Sequence, residues 1–161
     1  MEIVQKERKW PYDLTPRGST AYIVVHHTAG PQNQDTDEIW DYHTTHLGYN
    51  GIGYHRLIKG DGTTVQGRPD WVVGAHAFGL NHTSVGVVLE GNFESSESDM
   101  QPTNEQIAAL KDNLRDLLVK YPGAEIIGHR QVATIIGDPS AATACPGDTL
   151  YAMLPEIIAS L

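Results

Sequence analysis

The stretch Tyr22–His27, YIVVHH, is a short apolar run that ends on two histidines. A run of β-branched and apolar residues of this length predicts a strand buried on both faces, as found in the centre of an α/β sheet. The following residues, TAGPQNQ, break the strand, and strand ends are where α/β folds usually place binding chemistry. Successive side chains on a strand face opposite ways, so only one of His26 and His27 can point into a given site. The stretch therefore predicts a central strand with a candidate site at its end.

Other segments predict further strands and helices around this one. The predicted strands are Ser84–Phe93 and Ala124–His129, and the GDG of residues 60–62 predicts a hairpin. Helices are predicted from the capping box of Asp35 and Glu38 towards Leu47, from the capping box of Thr103 and Gln106, and after CPGD. Residues 130–144 are predicted to form a long loop. At 161 residues the chain is expected to be one α/β domain, with residues 1–20 as an N-terminal extension packing on or beside it.

Composition narrows the classes of partner. The chain has a formal net charge of −9, which argues against nucleic acid because phosphate binding needs clustered Lys and Arg. No apolar run approaches the length needed to span a membrane, and the N-terminus has no apolar signal-peptide core. We therefore expect a globular protein that binds no nucleic acid and inserts into no membrane.

The only cysteine, Cys145, lies in the stretch ACPGD and cannot form a disulfide within the chain. A free cysteine usually behaves as a small buried hydrophobe, but it can also be a metal ligand or a nucleophile accompanied by histidines. His26 and His27 end one predicted strand, and His129 ends another. Two histidines, one thiolate and a fourth position open to water form an established catalytic zinc arrangement. The long spacing between these residues does not by itself decide whether Cys145 is a buried hydrophobe or a functional residue.

Five blocks of sequence occur in order: VVHHTAG, GIGYHRLIKGDGTTVQGRP, GAHAFGLNHTSVGVVLEGNF, IIGHRQV and TACPGD. From about Tyr22 to about Leu154 the chain thereby resembles the zinc-dependent N-acetylmuramoyl-L-alanine amidases, the family shared by bacteriophage lytic amidases and peptidoglycan recognition proteins. The resemblance implies a central mixed β-sheet flanked by helices, with a zinc site at the strand ends. It also implies hydrolysis of the amide between N-acetylmuramic acid and L-alanine in bacterial peptidoglycan.

The resemblance also implies roles for individual residues. The family's zinc ligands match His26, His129 and Cys145, so Zn²⁺ is the expected cofactor. The loop Arg130–Ala144 is longer than in the simplest phage members and could wall one side of the substrate groove, and its role stays open.

Four further positions match the family's site. Tyr54 corresponds to the tyrosine beside the metal that orients water or stabilises the transition state. His76 and Asn81 fall where the family lines its substrate groove. Thr143 stands where many phage members have a catalytic lysine, so a hydroxyl hydrogen bond is expected to replace it.

Two alternatives stay open at this point. The chain could be a peptidoglycan-binding module without activity, although such modules typically lack the zinc cysteine that is present here as Cys145. It could also be a cysteine hydrolase, in which the position of Cys145 just before a helix would lower the thiol pKa. We expect a monomer that acts on the bacterial cell wall. It would either accumulate in the cytoplasm for holin-type release or be the excised domain of a secreted autolysin.

Overall fold

A computed structural model describes residues 1–161, and its centre is a five-stranded mixed sheet. The strands, in chain order, are β1 Tyr22–His27, β2 Arg56–Ile58, β3 Thr64–Gln66, β4 Ser84–Leu89 and β5 Glu125–Gly128. Their order across the sheet is β3-β2-β4-β1-β5, and only the β2–β3 pair is antiparallel. The predicted central strand is confirmed, because β1 lies between two parallel neighbours and is almost wholly buried.

Helices cover both faces of the sheet. They are α1 Thr36–Asp41, which continues into a π-helical turn at Tyr42–His46, then α2 Asn104–Lys120, α3 Val132–Ile136 and α4 Asp148–Ala159. The capping box that opens α2 is present as predicted, with the Thr103 hydroxyl and the Gln106 side chain each accepting from the other residue's backbone N–H. None of these helices combines the length and apolarity that crossing a bilayer requires.

The alternation of side chains along β1 assigns its residues to two different layers. Ile23 and Val25 pack with the apolar faces of α2 and α4 in the larger core cluster. Val24 packs on the other face, in a cluster with Val132 of α3. His26 follows this alternation and shares the face of Val24, whereas His27 shares the face of the larger core.

Three local predictions differ from the structure. The strand predicted over Ser84–Phe93 ends at Leu89, and the chain then turns through Gly91, whose φ of 145° suits a residue without a side chain. The long loop 130–144 is not uniform, because it contains α3 and a 3₁₀ turn at Pro139–Ala141. Asp35 caps α1 through the Asp37 N–H, and no reciprocal bond from Glu38 completes a box.

The first twenty residues run along the edge of the sheet and onto α1. The Val4 N–H donates to the Thr64 carbonyl, so the chain adds a single bridge outside β3. Further on, Trp10 packs edge-on against Trp40 of α1 with ring centroids 4.8 Å apart. These contacts lie on the side of α1 and β3, and the residues of the candidate site come from later in the chain.

Candidate metal centre

The parallel register of β1 and β5 brings two of the predicted ligands side by side. Val25 of β1 pairs with Gly128 of β5, so the residues that follow them, His26 and His129, lie side by side. Their ring centroids are 4.6 Å apart. Cys145 reaches the same place from the turn before α4, where its carbonyl accepts the Arg130 N–H at 2.8 Å. Three segments far apart in sequence thus meet at one strand end.

The geometry of these three residues fits a small metal ion. One ligand atom each from His26, His129 and Cys145 can be chosen so that all lie within 4.8 Å of one another. The sulfur of Cys145 is 3.7 Å from His26 Nδ1. Tetrahedral zinc bonds of about 2.3 Å to sulfur and about 2.0 Å to nitrogen require a separation of about 3.5 Å between the two ligand atoms. Two imidazoles and a thiolate are also a donor set that suits zinc.

Burial controls the protonation of the cluster. Desolvation is the largest cause that holds the pKa of His26 well below its ordinary value, and the charge of His129 is the next. Desolvation also lowers the pKa of His129 to about 4. Both rings are therefore neutral at pH 7, which is the form that binds metals. Burial raises the pKa of the Cys145 thiol to about 12. This shift runs opposite to the lowered thiol pKa that the cysteine-hydrolase alternative would require, while a bound cation would still remove the thiol proton.

The neighbouring histidine has a different partner. His27 Nδ1 accepts the Phe93 N–H at 3.1 Å, and its ring lies near the Phe93 ring on the face of the larger core. Its backbone N–H points back and donates to the Cys145 sulfur at 3.4 Å. The structure thus places His26 in the cluster and gives His27 a role in holding the loop after β4 and the sulfur.

Tyr54 and Thr143 both border the cluster. The Tyr54 ring meets the His26 ring edge-on, with centroids 5.1 Å apart. Burial raises the pKa of Tyr54 above its ordinary value, so its hydroxyl keeps its proton and remains a donor. Thr143 Oγ1 accepts the Cys145 N–H at 3.2 Å, which fixes the side chain next to the sulfur while its own proton is available.

The cluster opens into a cavity of about 350 Å³. Besides the residues above, His43, Tyr49, Glu94 and Glu97 line it. None of these four was predicted from the sequence. His43 supports the turn that carries Tyr54, since its Nδ1 accepts the Gly53 N–H at 2.9 Å. Only two indirect signals for these residues were available in the sequence. Gly53, the partner of His43, lies in the same sequence block as Tyr54, and Glu94 directly follows another block.

The two residues predicted to bind substrate lie next to the cluster but are engaged within the protein. His76 is 8% exposed, and its Nδ1 is 2.9 Å from His26 Nε2. Asn81 Oδ1 accepts the backbone N–H groups of His76 and Ala77 at 2.9 and 2.8 Å. Both also line a second cavity, which shares His76 and His129 with the main one. A direct contact of either residue with substrate stays a prediction.

The fold and the site together define an α/β enzyme with a mixed sheet and a two-histidine, one-cysteine cluster at the carboxyl ends of parallel strands. The sequence matches the N-acetylmuramoyl-L-alanine amidase family over residues 16–148, and the chain belongs to that family. The resemblance inferred from the five blocks, the single-domain fold with a central mixed sheet and the assignment to the amidase class of enzymes are confirmed.

Individual relatives come from phages, bacteria and insects. An endolysin of Enterobacteria phage T3 is 40% identical over 121 residues, which cover 73% of this chain and 80% of the endolysin. Peptidoglycan-recognition protein SC2 of Drosophila melanogaster is 35% identical over 141 residues, covering 81% and 70% of the two chains. The solved structure of N-acetylmuramoyl-L-alanine amidase LysC from Clostridium intestinale URNW superposes with a TM-score of 0.85 at 32% identity, covering 99% of this chain and 97% of LysC.

Proposed function

We propose that this protein is a zinc-dependent hydrolase that cleaves the amide between N-acetylmuramic acid and L-alanine in bacterial peptidoglycan. The observation that carries the proposal is the convergence of His26, His129 and Cys145 at the base of an open cavity. A metal site that only stabilises a fold is usually closed by four protein ligands, whereas three ligands facing a cavity leave a position for water.

The residues around the cluster have separable tasks. His26, His129 and Cys145 would hold the zinc ion. When bound, zinc supplies Lewis acidity towards a carbonyl oxygen and lowers the pKa of water to about 7. Tyr54, whose hydroxyl is protonated, and Thr143, whose hydroxyl hydrogen is free, would donate hydrogen bonds to the oxygen that gains negative charge as the amide is attacked.

The cavity wall supports a substrate with both peptide and sugar character. Tyr49 and His43 offer aromatic surface, and Glu94 and Glu97 offer carboxylates. Aromatic surface packs against apolar and ring groups, and carboxylates accept hydrogen bonds from amides, hydroxyls and amines. We infer that the protein acts as a monomer on the bacterial cell wall, and its similarity to phage proteins named endolysin supports this site of action.

A peptidoglycan-binding module without activity is the second candidate, favoured only by the recognition proteins among the relatives. The complete ligand set argues against it. A binding surface needs shape and hydrogen bonds, but it does not need two neutral histidines and a cysteine directed at one point.

The experiment that tests the proposal is digestion of purified peptidoglycan followed by mass spectrometry of the products. We expect free stem peptides that begin with L-alanine, glycan strands with unsubstituted lactyl groups, loss of activity on chelation and recovery with Zn²⁺. Binding to peptidoglycan without any release of peptides from the zinc-loaded protein would support the binding module. Activity that survives chelation but is lost on thiol alkylation would support the cysteine hydrolase.

A further inference from the structure

We propose that His76 and Ser84 form a hydrogen-bonded chain that fixes the tautomer and the orientation of His26, so that Nδ1 of His26 is the metal-binding atom. His76 is thereby a positioning residue that acts through His26. This inference rests on the metal centre proposed above, and it concerns how the protein prepares that centre.

The two nitrogens of His26 point at different partners. Nδ1 is 3.7 Å from the Cys145 sulfur, and Nε2 is 2.9 Å from His76 Nδ1. A metal-bound imidazole is neutral and carries its single proton on the nitrogen that does not bind the metal. With the metal on Nδ1, the His26 proton must lie on Nε2 and be donated to His76.

The donor and acceptor roles then follow along the rest of the chain. Since His76 Nδ1 accepts, its own proton lies on Nε2, which is 3.4 Å from Ser84 Oγ. The Ser84 hydroxyl donates in turn to the Leu80 carbonyl at 2.7 Å. Every proton in the series therefore has one acceptor, and the series ends on a carbonyl that cannot reverse its direction.

The protein holds the His76 ring in place from several sides. Asn81 accepts the His76 backbone N–H, which fixes the main chain at this residue. Gly86 and Gly74 provide the space for the ring, because a Cβ on either would lie only 2.7 or 2.5 Å from its atoms. Two close approaches of this kind indicate that the backbone is shaped around an imidazole at this position.

Holding a ligand in one tautomer and rotamer before the metal arrives should strengthen metal binding. Loss of a partner that orients a ligand typically costs about 10- to 100-fold in metal affinity. This role also explains why His76 is so buried beside a cavity built for a large substrate.

The test compares zinc dissociation constants, measured by competition with a chromogenic chelator, for wild type and three variants. His76→Leu keeps bulk but removes the acceptor, and we expect zinc binding about 10- to 100-fold weaker. His76→Asn places an amide oxygen near the position of Nδ1, and we expect it to recover most of the affinity. His82→Asn is the matched control, because His82 is exposed, and it should bind zinc like wild type.

Nitrogen-15 NMR of the zinc-loaded wild-type protein tests the same inference without any substitution. We expect the His26 proton on Nε2 with zinc on Nδ1, and the His76 proton on its own Nε2. Zinc bound to Nε2 of His26, or wild-type zinc affinity in folded His76→Leu, would overturn the role of His76 while leaving the proposed function intact. Failure of the wild-type protein to bind zinc would instead overturn the metal centre itself.

Discussion

Two buried polar regions lie beside the same sheet and differ in how their polar atoms are satisfied. At the start of β2, on the face covered by α2, the wholly buried Arg56 donates to Asp70 at 2.6 Å, to Asp116 at 2.7 Å and to Asn113 at 3.1 Å. We call this set the arginine cluster. At the end of β1, on the opposite face, His26, His129 and Cys145 form the histidine–cysteine cluster.

The difference between the clusters separates stability from function. In the arginine cluster the guanidinium and its carboxylates neutralise one another, so the protein itself completes the set. In the histidine–cysteine cluster the three ligand atoms lie within 4.8 Å of one another, and burial disfavours a charge on any of them. The first cluster should therefore support the fold, and the second should require a cation from outside.

The largest expected effect comes from removing a metal ligand. His129→Ala leaves two ligands of three, so we expect loss of bound zinc. Because the reaction then lacks the metal's chemistry, peptidoglycan hydrolysis should fall by at least about a thousandfold, which corresponds to about 4 kcal/mol in the activation free energy. Elemental analysis and a turbidity assay measure the two quantities. His46→Ala, at an exposed histidine, is the control. Full metal content in His129→Ala would show that the ligand set is wrong.

Breaking the arginine cluster should affect stability instead. Arg56→Met leaves Asp70 and Asp116 without their buried counter-charge, and we expect the free energy of unfolding to fall by about 3–5 kcal/mol. Zinc content per folded molecule should not change. Lys120→Met, at the more exposed end of the same network, should cost no more than about 1 kcal/mol. Denaturant titration measures the free energy of unfolding of both variants. A loss in Arg56→Met as small as that in Lys120→Met would show that the buried guanidinium is not needed for stability.

The hydroxyl of Tyr54 gives an effect on turnover alone. Tyr54→Phe should lower kcat by about ten- to a thousandfold, the scale of one lost transition-state donor, while zinc content and stability remain close to wild type. Steady-state kinetics on soluble muropeptides measures it. Unchanged kcat would reduce Tyr54 to a packing residue.

The two adjacent histidines offer a matched pair. His26→Ala should lose zinc, whereas His27→Ala should keep zinc but lose about 1–3 kcal/mol of stability, because the Phe93 N–H is left without its acceptor. Metal content and thermal unfolding of both variants decide the matter. The reverse pattern would shift the register of β1 by one residue.

Acid should weaken the region around the histidine–cysteine cluster before it affects the arginine cluster. Burial, with Arg68 as a second cause, lowers the pKa of His43 to about 4, below the 6.5 of an exposed histidine. The unfolded chain therefore binds this proton first, so the stabilisation is complete above pH 6.5 and is lost as the pH falls towards 4. The pKa of Asp70 lies far below its ordinary value, mainly through Arg56 once desolvation is overcome, so its contribution persists to lower pH.

His43→Asn tests this pH dependence because its amide oxygen can still accept the Gly53 N–H but does not titrate. In zinc-free protein, we expect wild type to lose about 1 kcal/mol more stability than the variant between pH 7 and pH 5.5. Parallel stability profiles for the two proteins would contradict the assignment of this proton uptake to His43.

Much of the fold followed from local sequence, but the polar contacts did not. The apolar run of β1, the hairpin at residues 60–62 and the capping box of α2 depend on neighbouring residues, and all three are present. The strand after Ser84 was predicted too long because the strand ends at Leu89 and the chain turns at Gly91, before it reaches the apolar Phe93.

The site shows the same division. The three ligand positions were found through the family resemblance, whereas the contact of His26 with His76 and the buried position of Arg56 depend on strand register and helix placement. Two residues fifty positions apart carry no local sign that their rings meet. For the same reason the position of His76 in a groove-lining block predicted substrate contact and gave no indication of its bond to His26.

The most direct test of the central claim is X-ray absorption at the zinc edge of the loaded wild-type protein and of Cys145→Ser. The account predicts one sulfur at about 2.3 Å and two imidazole nitrogens at about 2.0 Å in the wild type, with the sulfur contribution lost in the variant. A zinc environment without sulfur in the wild-type protein, or one unchanged in Cys145→Ser, would contradict it.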